Sequence, residues 1–338
     1  MGFSVAGKTV LITGAAMGMG RLFARLAAAD RAGTVVLWDI DAAALERTAH
    51  ELRESGCTVS AHVVDVADLE SVRTAAAEVR DAVGRPDVLV NNAGVVRGKY
   101  FWDHDHESDT RFVMDVNTLA PMYITNEFLP AMIEDRGRDC RIVNIASAAG
   151  TVATPRMAVY AASKWAALGW SDSLRLELVQ AGHGHVKVTT VCPSYISTGM
   201  FDGVKNPLFA PILSPEDVTA RSWRAMKQGK PLLMLPRSLY LSRVAKAVLP
   251  VRAWDRLADR LGVYHSMDAY TGRVQAPTPD VSDQPRSKRA PSRMLPGARR
   301  LSARPNLASG VTGTTALLCL TALTICVATR SGVKPRLR

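Results

Sequence analysis

Outside its C-terminal tail, the chain has almost no net charge. Residues 1–270 carry 30 Lys/Arg and 29 Asp/Glu, whereas residues 271–338 carry 12 and 2. The formal net charge of +11 at pH 7 therefore belongs almost entirely to the tail. Because a nearly neutral body lacks the basic surface that attracts phosphate backbones, we expect no nucleic-acid binding.

Marks of a secreted or metal-binding protein are also missing. There are five cysteines, an odd number without a Cys-x-x-Cys pair, and the N-terminus has no basic segment or apolar signal core. These features favour reduced thiols and a cytoplasmic protein. The histidine pairs His104/His106 and His183/His185 lie in polar sequence without a third ligand nearby, so we predict no metal site.

Short apolar runs alternate with helical patterns of roughly ten to fifteen residues, and no internal repeat is visible. This alternation predicts an α/β fold with a Rossmann-type doubly wound parallel sheet of about seven strands. One long helix is expected around Arg111–Met132. The predicted strands are Thr9–Thr13, Thr34–Trp38, Val59–Val64, Val88–Val90, Arg141–Ile145, Lys187–Val191 and Leu232–Leu235.

A glycine-rich turn follows the first predicted strand. Gly14, Gly18 and Gly20 stand between that strand and an apolar helical pattern. Glycines let the backbone approach a pyrophosphate, and a helix N-terminus offers free N–H groups and a positive dipole. The pattern favours nucleotide binding, and the alternative is an ordinary turn between strand and helix.

Acidic and amide side chains stand where later strands end. Asp39 follows Gly20 by 19 residues, close to the offset of about 20 expected for a carboxylate that binds a cofactor ribose. This spacing favours NAD(H), with a strand-end cap as the alternative. Asp65 and Val66 follow the third strand, and Asn92, Ala93 and Gly94 follow the fourth, at the edge where open α/β sheets bind ligands.

Tyr160 and Lys164 are four residues apart in a helical pattern. This spacing places them on one helix face with about 5–6 Å between their Cβ atoms. A neighbouring positive charge typically lowers the pKa of an acid by roughly 1–3 units, which would suit a general acid/base. Ser147 is expected on a facing loop, within reach of a substrate oxygen. Taken alone, the tyrosine and lysine could be accidental neighbours on an exposed helix.

Together these motifs resemble the short-chain dehydrogenase/reductase family over residues 5–236. The matching residues are Thr13-Gly14-x-x-x-Gly18-x-Gly20, Asp65, Asn91-Asn92-Ala93-Gly94, Asn117, Ser147 and Tyr160-x-x-x-Lys164, in the family's order. The resemblance implies that Tyr160 is the general acid/base and that Lys164 lowers its pKa and binds the nicotinamide ribose. It also implies that Ser147 orients the reacting oxygen and that Asn117 holds a water in a proton relay.

The predicted site follows from the motifs and this resemblance. The predicted catalytic residues are Asn117, Ser147, Tyr160 and Lys164. The predicted NAD-binding residues are Gly14, Gly18, Met19, Gly20, Asp39, Asp65, Val66, Asn92, Ala93, Gly94, Tyr160, Lys164, Pro193 and Thr198. The chain departs from the family at Pro193-Ser194, where the family usually has Pro-Gly, which affects the details of that turn.

A narrower resemblance, carried by Pro193–Phe201 and Pro236–Arg273, is to the retinol and 17-beta-hydroxysteroid dehydrogenase branch. It implies a small lipophilic alcohol or ketone as substrate and, with the family, a homo-oligomer. The apolar residues Met200, Phe201, Leu208, Phe209 and Ile212 would form a lid, or alternatively pack in the core. Alternative functions are a ketoreductase of soluble substrates, of acyl-carrier or polyol type, and a non-catalytic membrane-attached NAD-binding scaffold.

Four segments are predicted along the chain. Residues 1–236 form the Rossmann domain, and 237–273 form an amphipathic extension. Within it, Arg237–Arg256 is expected to be a basic amphipathic helix, either in a bilayer interface or packed on the domain. Residues 274–306, rich in Pro, Ser and Arg, read as a disordered basic linker. The uncharged run 307–329 is long enough to cross a membrane, although its threonines make it weakly apolar. We therefore expect a cytoplasmic enzyme attached to a membrane surface by its tail.

Overall fold

A computed structural model describes residues 2–208 and 210–272 of the chain. Strands β1 (Thr9–Thr13), β2 (Thr34–Asp39), β3 (Val59–Val63), β4 (Val88–Asn91), β5 (Cys140–Ile145), β6 (Val186–Pro193) and β7 (Leu232–Leu235) form one sheet. Their order is β3-β2-β1-β4-β5-β6-β7, and each neighbouring pair is parallel. The predicted Rossmann-type doubly wound α/β fold is confirmed, with strand ends shifted by one or two residues.

Both faces of the sheet are covered by helices, which explains why the central strands are apolar runs rather than alternating ones. Helices α1 (Gly18–Ala29), α2 (Ala42–Glu54) and α7 (Pro215–Lys227) pack on one face. Helices α3 (Leu69–Val83), α5 (Ala120–Glu134) and α6 (Ala158–Gln180) pack on the other. Val10, Leu11 and Ile12 of β1 are fully buried between the two layers.

The helical run that carries Asn117 is longer and less regular than predicted. Instead of a helix over Arg111–Met132, a π-helical segment spans His106–Arg111, followed by the short α4 (Phe112–Met114). A second π-helical segment, Asp115–Leu119, leads into α5. Single π turns inside helices are frequent at functional sites, and the second one here contains Asn117.

The C-terminal part of the described chain adds two helices, α8 (Ser238–Val248) and α9 (Val251–Arg260). The prediction of a single amphipathic helix over Arg237–Arg256 is wrong, because the helix ends before Pro250. Leu249 has an extended backbone (ψ 140°), as expected for a residue that precedes proline. Residues 261–272 then fold back toward Ala149 and Tyr160.

None of the helices within residues 2–208 and 210–272 combines the length and apolarity needed to cross a membrane. The predicted linker (274–306) and tail (307–329) lie outside the described residues, as does Phe209.

Candidate active site

The glycine turn is held to the neighbouring strand ends by hydrogen bonds between side chains and the main chain. The Thr13 hydroxyl accepts from the backbone N–H groups of Asn92 and Ala93, each at 3.0 Å. In return, Asn92 Nδ2 donates to the carbonyl oxygens of Thr13 (2.9 Å) and Gly14 (3.2 Å). These bonds connect the ends of β1 and β4, the two strands between which the chain reverses its winding direction and where open α/β sheets bind ligands.

Gly20 permits the tight packing of α1 against this turn. A Cβ atom at Gly20 would lie 1.8 Å from the carbonyl oxygen of Gly14, a distance that no side chain tolerates. Gly18, the first residue of α1, has φ +54°, a conformation that favours glycine. The turn therefore presents the N-terminus of α1 to the cleft with no side chain at Gly14, Gly18 or Gly20, a geometry that suits a phosphate.

Asp39 closes the far end of this cleft. Its Oδ2 accepts from the backbone N–H of Ala16 (2.9 Å), and its Oδ1 accepts from the N–H of Asp41 (3.0 Å). Because each carboxylate oxygen can accept more than one hydrogen bond, both remain able to bind a hydroxyl group.

The cleft has a volume of about 370 Å³ and extends from Asp39 to Tyr160. All but two of the predicted site residues line it. The lining residues among them are Gly14, Gly18, Met19, Asp39, Asp65, Val66, Asn92, Ala93, Gly94, Ser147, Tyr160, Lys164, Pro193 and Thr198. The other two, Gly20 and Asn117, lie behind the wall.

Asn117 braces the site from the second π-helical segment. Its Oδ1 accepts from the N–H of Val95, and its Nδ2 donates to the carbonyl of Val95, both at 2.9 Å. Nδ2 also lies 3.1 Å from the hydroxyl of Ser163. In the described structure this amide therefore connects the chain after β4 to α6, and its role in a proton relay stays a prediction.

Ser147, Tyr160 and Lys164 converge at the other end of the cleft, and all three are buried. Ser147 caps the short 3₁₀ turn Ala148–Gly150, which follows β5, and its hydroxyl accepts from the N–H of Ala149 at 3.1 Å. Lys164 Nζ donates to the carbonyl of Ile145 (3.0 Å) and lies 5.8 Å from the centre of the Tyr160 ring. This hydrogen bond holds the ammonium group in the cleft, beside the ring of Tyr160.

In the protein without cofactor or substrate, burial has the largest effect on the pKa values of Tyr160 and Lys164. It raises the pKa of Tyr160 to about 12, against the opposing effect of a hydrogen bond with Ser147. It also lowers the pKa of Lys164 to about 8. In the protein alone the pKa of Tyr160 is therefore raised, not lowered as expected from the neighbouring Lys164, because loss of hydration on burial has the largest effect.

A second, apolar cavity of about 550 Å³ adjoins the cleft. The two share Ser147, Ser194 and Phe201, so the apolar space begins beside the polar groups just described. Its walls come from the segments after β5 and β6, from α8 and α9, and from the residues that follow α9. They include Met157, Tyr195, Leu208, Leu239, Leu241, Trp254, Leu257, Leu261 and Val263. Sequence reasoning predicted an apolar lid in this region but did not identify the cavity or the residues on α9.

Residues 261–272 pack against the apolar side of Tyr160. Met267 and Tyr270 belong to the apolar cluster around that ring. Ser266 Oγ lies 2.8 Å from the hydroxyl of Tyr195, and Gly203 (φ +83°) approaches the backbone of Ala269 too closely for any side chain. Sequence reasoning included these residues in the amphipathic extension but did not place any of them beside Tyr160. The available signal was the pair Met267 and Tyr270, just before the chain becomes polar.

The described residues contain no group of three side chains able to hold a metal ion. The fold, the glycine turn and the buried serine, tyrosine and lysine define a dinucleotide-dependent oxidoreductase. The model of the short chain dehydrogenase family matches residues 8–207, and the chain belongs to this family. The glycine turn has no room for a Cβ atom at Gly20, and its close backbone approach fits the phosphates of such a cofactor. The carboxylate of Asp39 fits the ribose.

Two curated proteins are similar to this chain over most of its length. The chain is 38% identical to epidermal retinol dehydrogenase 2 of Mus musculus over 80% of its own length and 87% of the relative's. It is 37% identical to estradiol 17-beta-dehydrogenase 11 of Rattus norvegicus, over 80% and 88%. The predicted resemblance to the retinol and 17-beta-hydroxysteroid dehydrogenase branch is thus confirmed.

Solved structures support the same fold. A short-chain dehydrogenase/reductase from Burkholderia phymatum, in complex with NAD, has 28% identity and a TM-score of 0.66, covering 72% of this chain and 94% of its own. A metagenomic short-chain oxidoreductase, in complex with NADP, has 29% identity and a TM-score of 0.57, covering 69% and 97%. The two neighbours hold different cofactors, so the family alone leaves the choice between them open.

Proposed function

We propose that the protein transfers a hydride between NAD(H) and a lipophilic alcohol or ketone, with Tyr160 as general acid/base. The observation that carries the proposal is the apolar cavity, which meets the cleft that contains Tyr160 at Ser147, Ser194 and Phe201. A cavity of about 550 Å³ with mainly apolar walls suits a retinoid, steroid or long-chain substrate. The names of the two curated relatives, which refer to retinol and estradiol, point to the same class.

In this proposal a substrate oxygen binds between Ser147 and Tyr160. A nicotinamide cofactor, held by the glycine turn, Asp39 and Lys164, supplies the hydride chemistry. Ser147 donates a hydrogen bond to the substrate oxygen and fixes its position. Tyr160 donates a proton to that oxygen in ketone reduction and accepts one in alcohol oxidation.

The pKa values assign a resting state to these groups. With a pKa of about 12, Tyr160 is a neutral phenol at pH 7, which is the form that donates a proton in ketone reduction. In the opposite direction the phenolate requires nearby positive charge, and Lys164, with a pKa of about 8, is mostly protonated at pH 7. Above pH 8 the lysine loses this charge, so alcohol oxidation loses the charge that stabilises the phenolate.

The preference for NAD(H) over NADP(H) is part of the proposal. Asp39 is anchored by the backbone N–H groups of Ala16 and Asp41, so its charge stays at the end of the cleft. A 2′-phosphate there would meet a like charge, and the next basic side chain in sequence, Arg47, comes eight residues later.

Asp39→Ser tests this preference. We expect the kcat/KM ratio of NAD to NADP to fall by at least about tenfold in the variant, or roughly 1.4 kcal/mol. Asp41→Ser is the matched control, because it removes a neighbouring carboxylate that caps α2. Better use of NADP(H) than NAD(H) by the unmodified protein would contradict the proposal.

The substrate class is tested with a panel of all-trans-retinol, estradiol, a long-chain secondary alcohol and a polyol, each assayed with NAD. We expect turnover of at least one lipophilic alcohol and a much lower kcat/KM for the polyol. Preference for the polyol, or for an acyl-carrier-linked ketone with NADH, would favour the soluble-substrate alternative. Absence of turnover with every substrate, despite tight NAD binding, would favour the non-catalytic scaffold.

A further inference from the structure

Helix α8 and the start of α9 present a row of exposed apolar side chains. Leu241, Val244 and Val248 lie at positions i, i+3 and i+7 and therefore share one helix face. They are 72%, 59% and 76% exposed, and Val251 after the proline is 74% exposed. We call these four residues the α8 face. Contiguous exposed apolar surface on a folded protein generally marks an interaction site.

The α8 face is continuous with the mouth of the apolar cavity. Leu241 belongs both to the face and to the cavity wall. Leu208 (61% exposed) and Leu257 also line the cavity while reaching solvent. A substrate that entered or left the cavity here would pass between apolar side chains on the protein surface.

The charge around this face differs in sign from the rest of the body. Residues 237–260 contain six Lys/Arg and two Asp/Glu, whereas the remainder of residues 1–270 contains 24 and 27. Arg243, Arg252 and Arg256 are exposed on the two helices. Lys246 instead faces inward, with Nζ donating to the carbonyl of Thr151 and lying over the Trp165 ring. The segment that carries the α8 face is thus net positive, on a body that is otherwise slightly negative.

We propose that the α8 face docks on an anionic membrane surface, so that the cavity opens directly into the lipid phase. Apolar residues enter the interface, while the flanking arginines bind lipid phosphates and anionic headgroups. This surface is formed by described residues of the folded domain and does not include the predicted tail. The docking itself follows from the exposed residues and their charge, and only the passage of substrate rests on the proposed function.

Site-specific fluorescence separates this surface from the tail in the full-length chain. Cys57, Cys319 and Cys326 are replaced by serine, and Val248→Cys carries an environment-sensitive dye. Val63→Cys, 61% exposed on edge strand β3, is the matched control. With vesicles of phosphatidylcholine and phosphatidylserine, we expect a blue shift and quenching by brominated lipid at position 248, and neither change at position 63.

Other results of this experiment would overturn the proposal. Vesicle binding without quenching at position 248 would show that the tail alone makes the contact. Equal quenching at positions 248 and 63 would show unspecific adsorption. Equal effects with pure phosphatidylcholine vesicles would remove the role assigned to the arginines.

A variant of the face connects docking to turnover. Val244→Ser/Val248→Ser/Val251→Ser changes side chains outside the cavity wall, and Val63→Ser/Leu176→Ser/Val179→Ser removes equally exposed apolar residues elsewhere. We expect the first variant to lose at least about fivefold in kcat/KM for a substrate delivered in anionic vesicles. Its activity toward a small water-soluble ketone should stay unchanged. Equal loss in both variants would contradict the proposal, whereas inactivity of the unmodified protein would contradict only the proposed function.

Discussion

The two halves of the candidate site are built in different ways. On the cofactor side, the glycine turn, Asn92 and Asp39 are connected by hydrogen bonds between side chains and the main chain. On the substrate side, the walls are mainly apolar residues from the segments after β5 and β6, from α8 and α9, and from the residues that follow α9. Hydrogen bonds of this kind depend on a few residue types, whereas apolar walls accept many side chains of similar volume.

Because of this difference, the residues that carry out the reaction and the residues that select the substrate belong to different parts of the fold. The turn, Ser147, Tyr160 and Lys164 follow directly after strands or lie on a helix packed against the sheet, so their positions depend on the rigid core. Apart from the segment after β5, the walls of the apolar cavity come from segments added after that core, between residues 194 and 263. Substitutions on the cofactor side should therefore abolish function, while those on the substrate side should alter the choice of substrate.

Tyr160→Phe should have the largest effect, because Tyr160 lies where the two halves meet. Loss of a general acid/base typically reduces the rate by ~10²–10⁴, or roughly 2.7–5.4 kcal/mol. Cofactor binding should be nearly intact, since the ring still packs in its apolar cluster. Tyr264→Phe, which removes a hydroxyl bonded to Asp255, serves as control. A kcat of Tyr160→Phe within about threefold of the unmodified protein would refute the assigned role.

Gly20→Ala tests how strictly the cofactor side depends on its backbone. The added methyl group would overlap the carbonyl oxygen of Gly14, so the turn must move away from its hydrogen-bonded position. We expect NAD affinity to fall at least ~100-fold, or about 2.7 kcal/mol, by calorimetry. Gly169→Ala is the matched control, because this helical glycine has open space around its Cβ position. Equal affinities in both variants would show that the turn is adaptable.

Lys164 should make folding stability depend on pH in the cofactor-free protein. Its pKa is about 8 in the folded protein and 10.5 ordinarily, so between these values the unfolded chain binds more protons. The free energy of unfolding should therefore rise with pH from 8 to 10.5, by up to about 3 kcal/mol at 1.36 kcal/mol per unit. Below pH 8 both states are protonated, and this contribution is constant.

Urea unfolding of the unmodified protein and of Lys164→Met, at several pH values, measures this contribution. The difference between the two proteins should change over that interval, with the exposed Lys230→Met as control. A difference that stays the same from pH 7 to 10.5 would mean that Lys164 keeps its ordinary pKa in the folded protein.

Ala245→Phe should have the smallest effect and act on substrate choice alone. Ala245 lies in the cavity wall, so a phenyl ring there would occupy space needed by a steroid or retinoid. We expect about a tenfold loss of kcat/KM for such substrates, roughly 1.4 kcal/mol, without loss for a small ketone. Ala247→Phe places the same ring on an exposed position of α8. Equal losses for large and small substrates would indicate damage to the fold rather than to the cavity.

Sequence alone determined the sheet, the glycine turn and the grouping of site residues. Buried parallel strands are apolar runs, and residues that follow such strands gather at one edge, so the order of motifs along the chain was sufficient. Pro250 also carried its own signal, because a proline disfavours helix at the preceding residue, although the prediction of one long helix overlooked it. The strands, the turn and the helix end all depend on local sequence and on the spacing of apolar residues along the chain.

Only the tertiary structure decided the electrostatics and the substrate side. The spacing of Tyr160 and Lys164 revealed a neighbouring charge, but the larger effect on the pKa of Tyr160 is burial, to which many distant residues contribute. Likewise, the apolar cavity requires α8, α9 and residues 261–272 to fold back toward Ser147, and contacts between remote segments leave no fixed spacing in the sequence. Packing between segments also determines which apolar side chains stay exposed. The spacing of apolar residues in a helix predicts which face is apolar, but it does not predict which segment packs against that face.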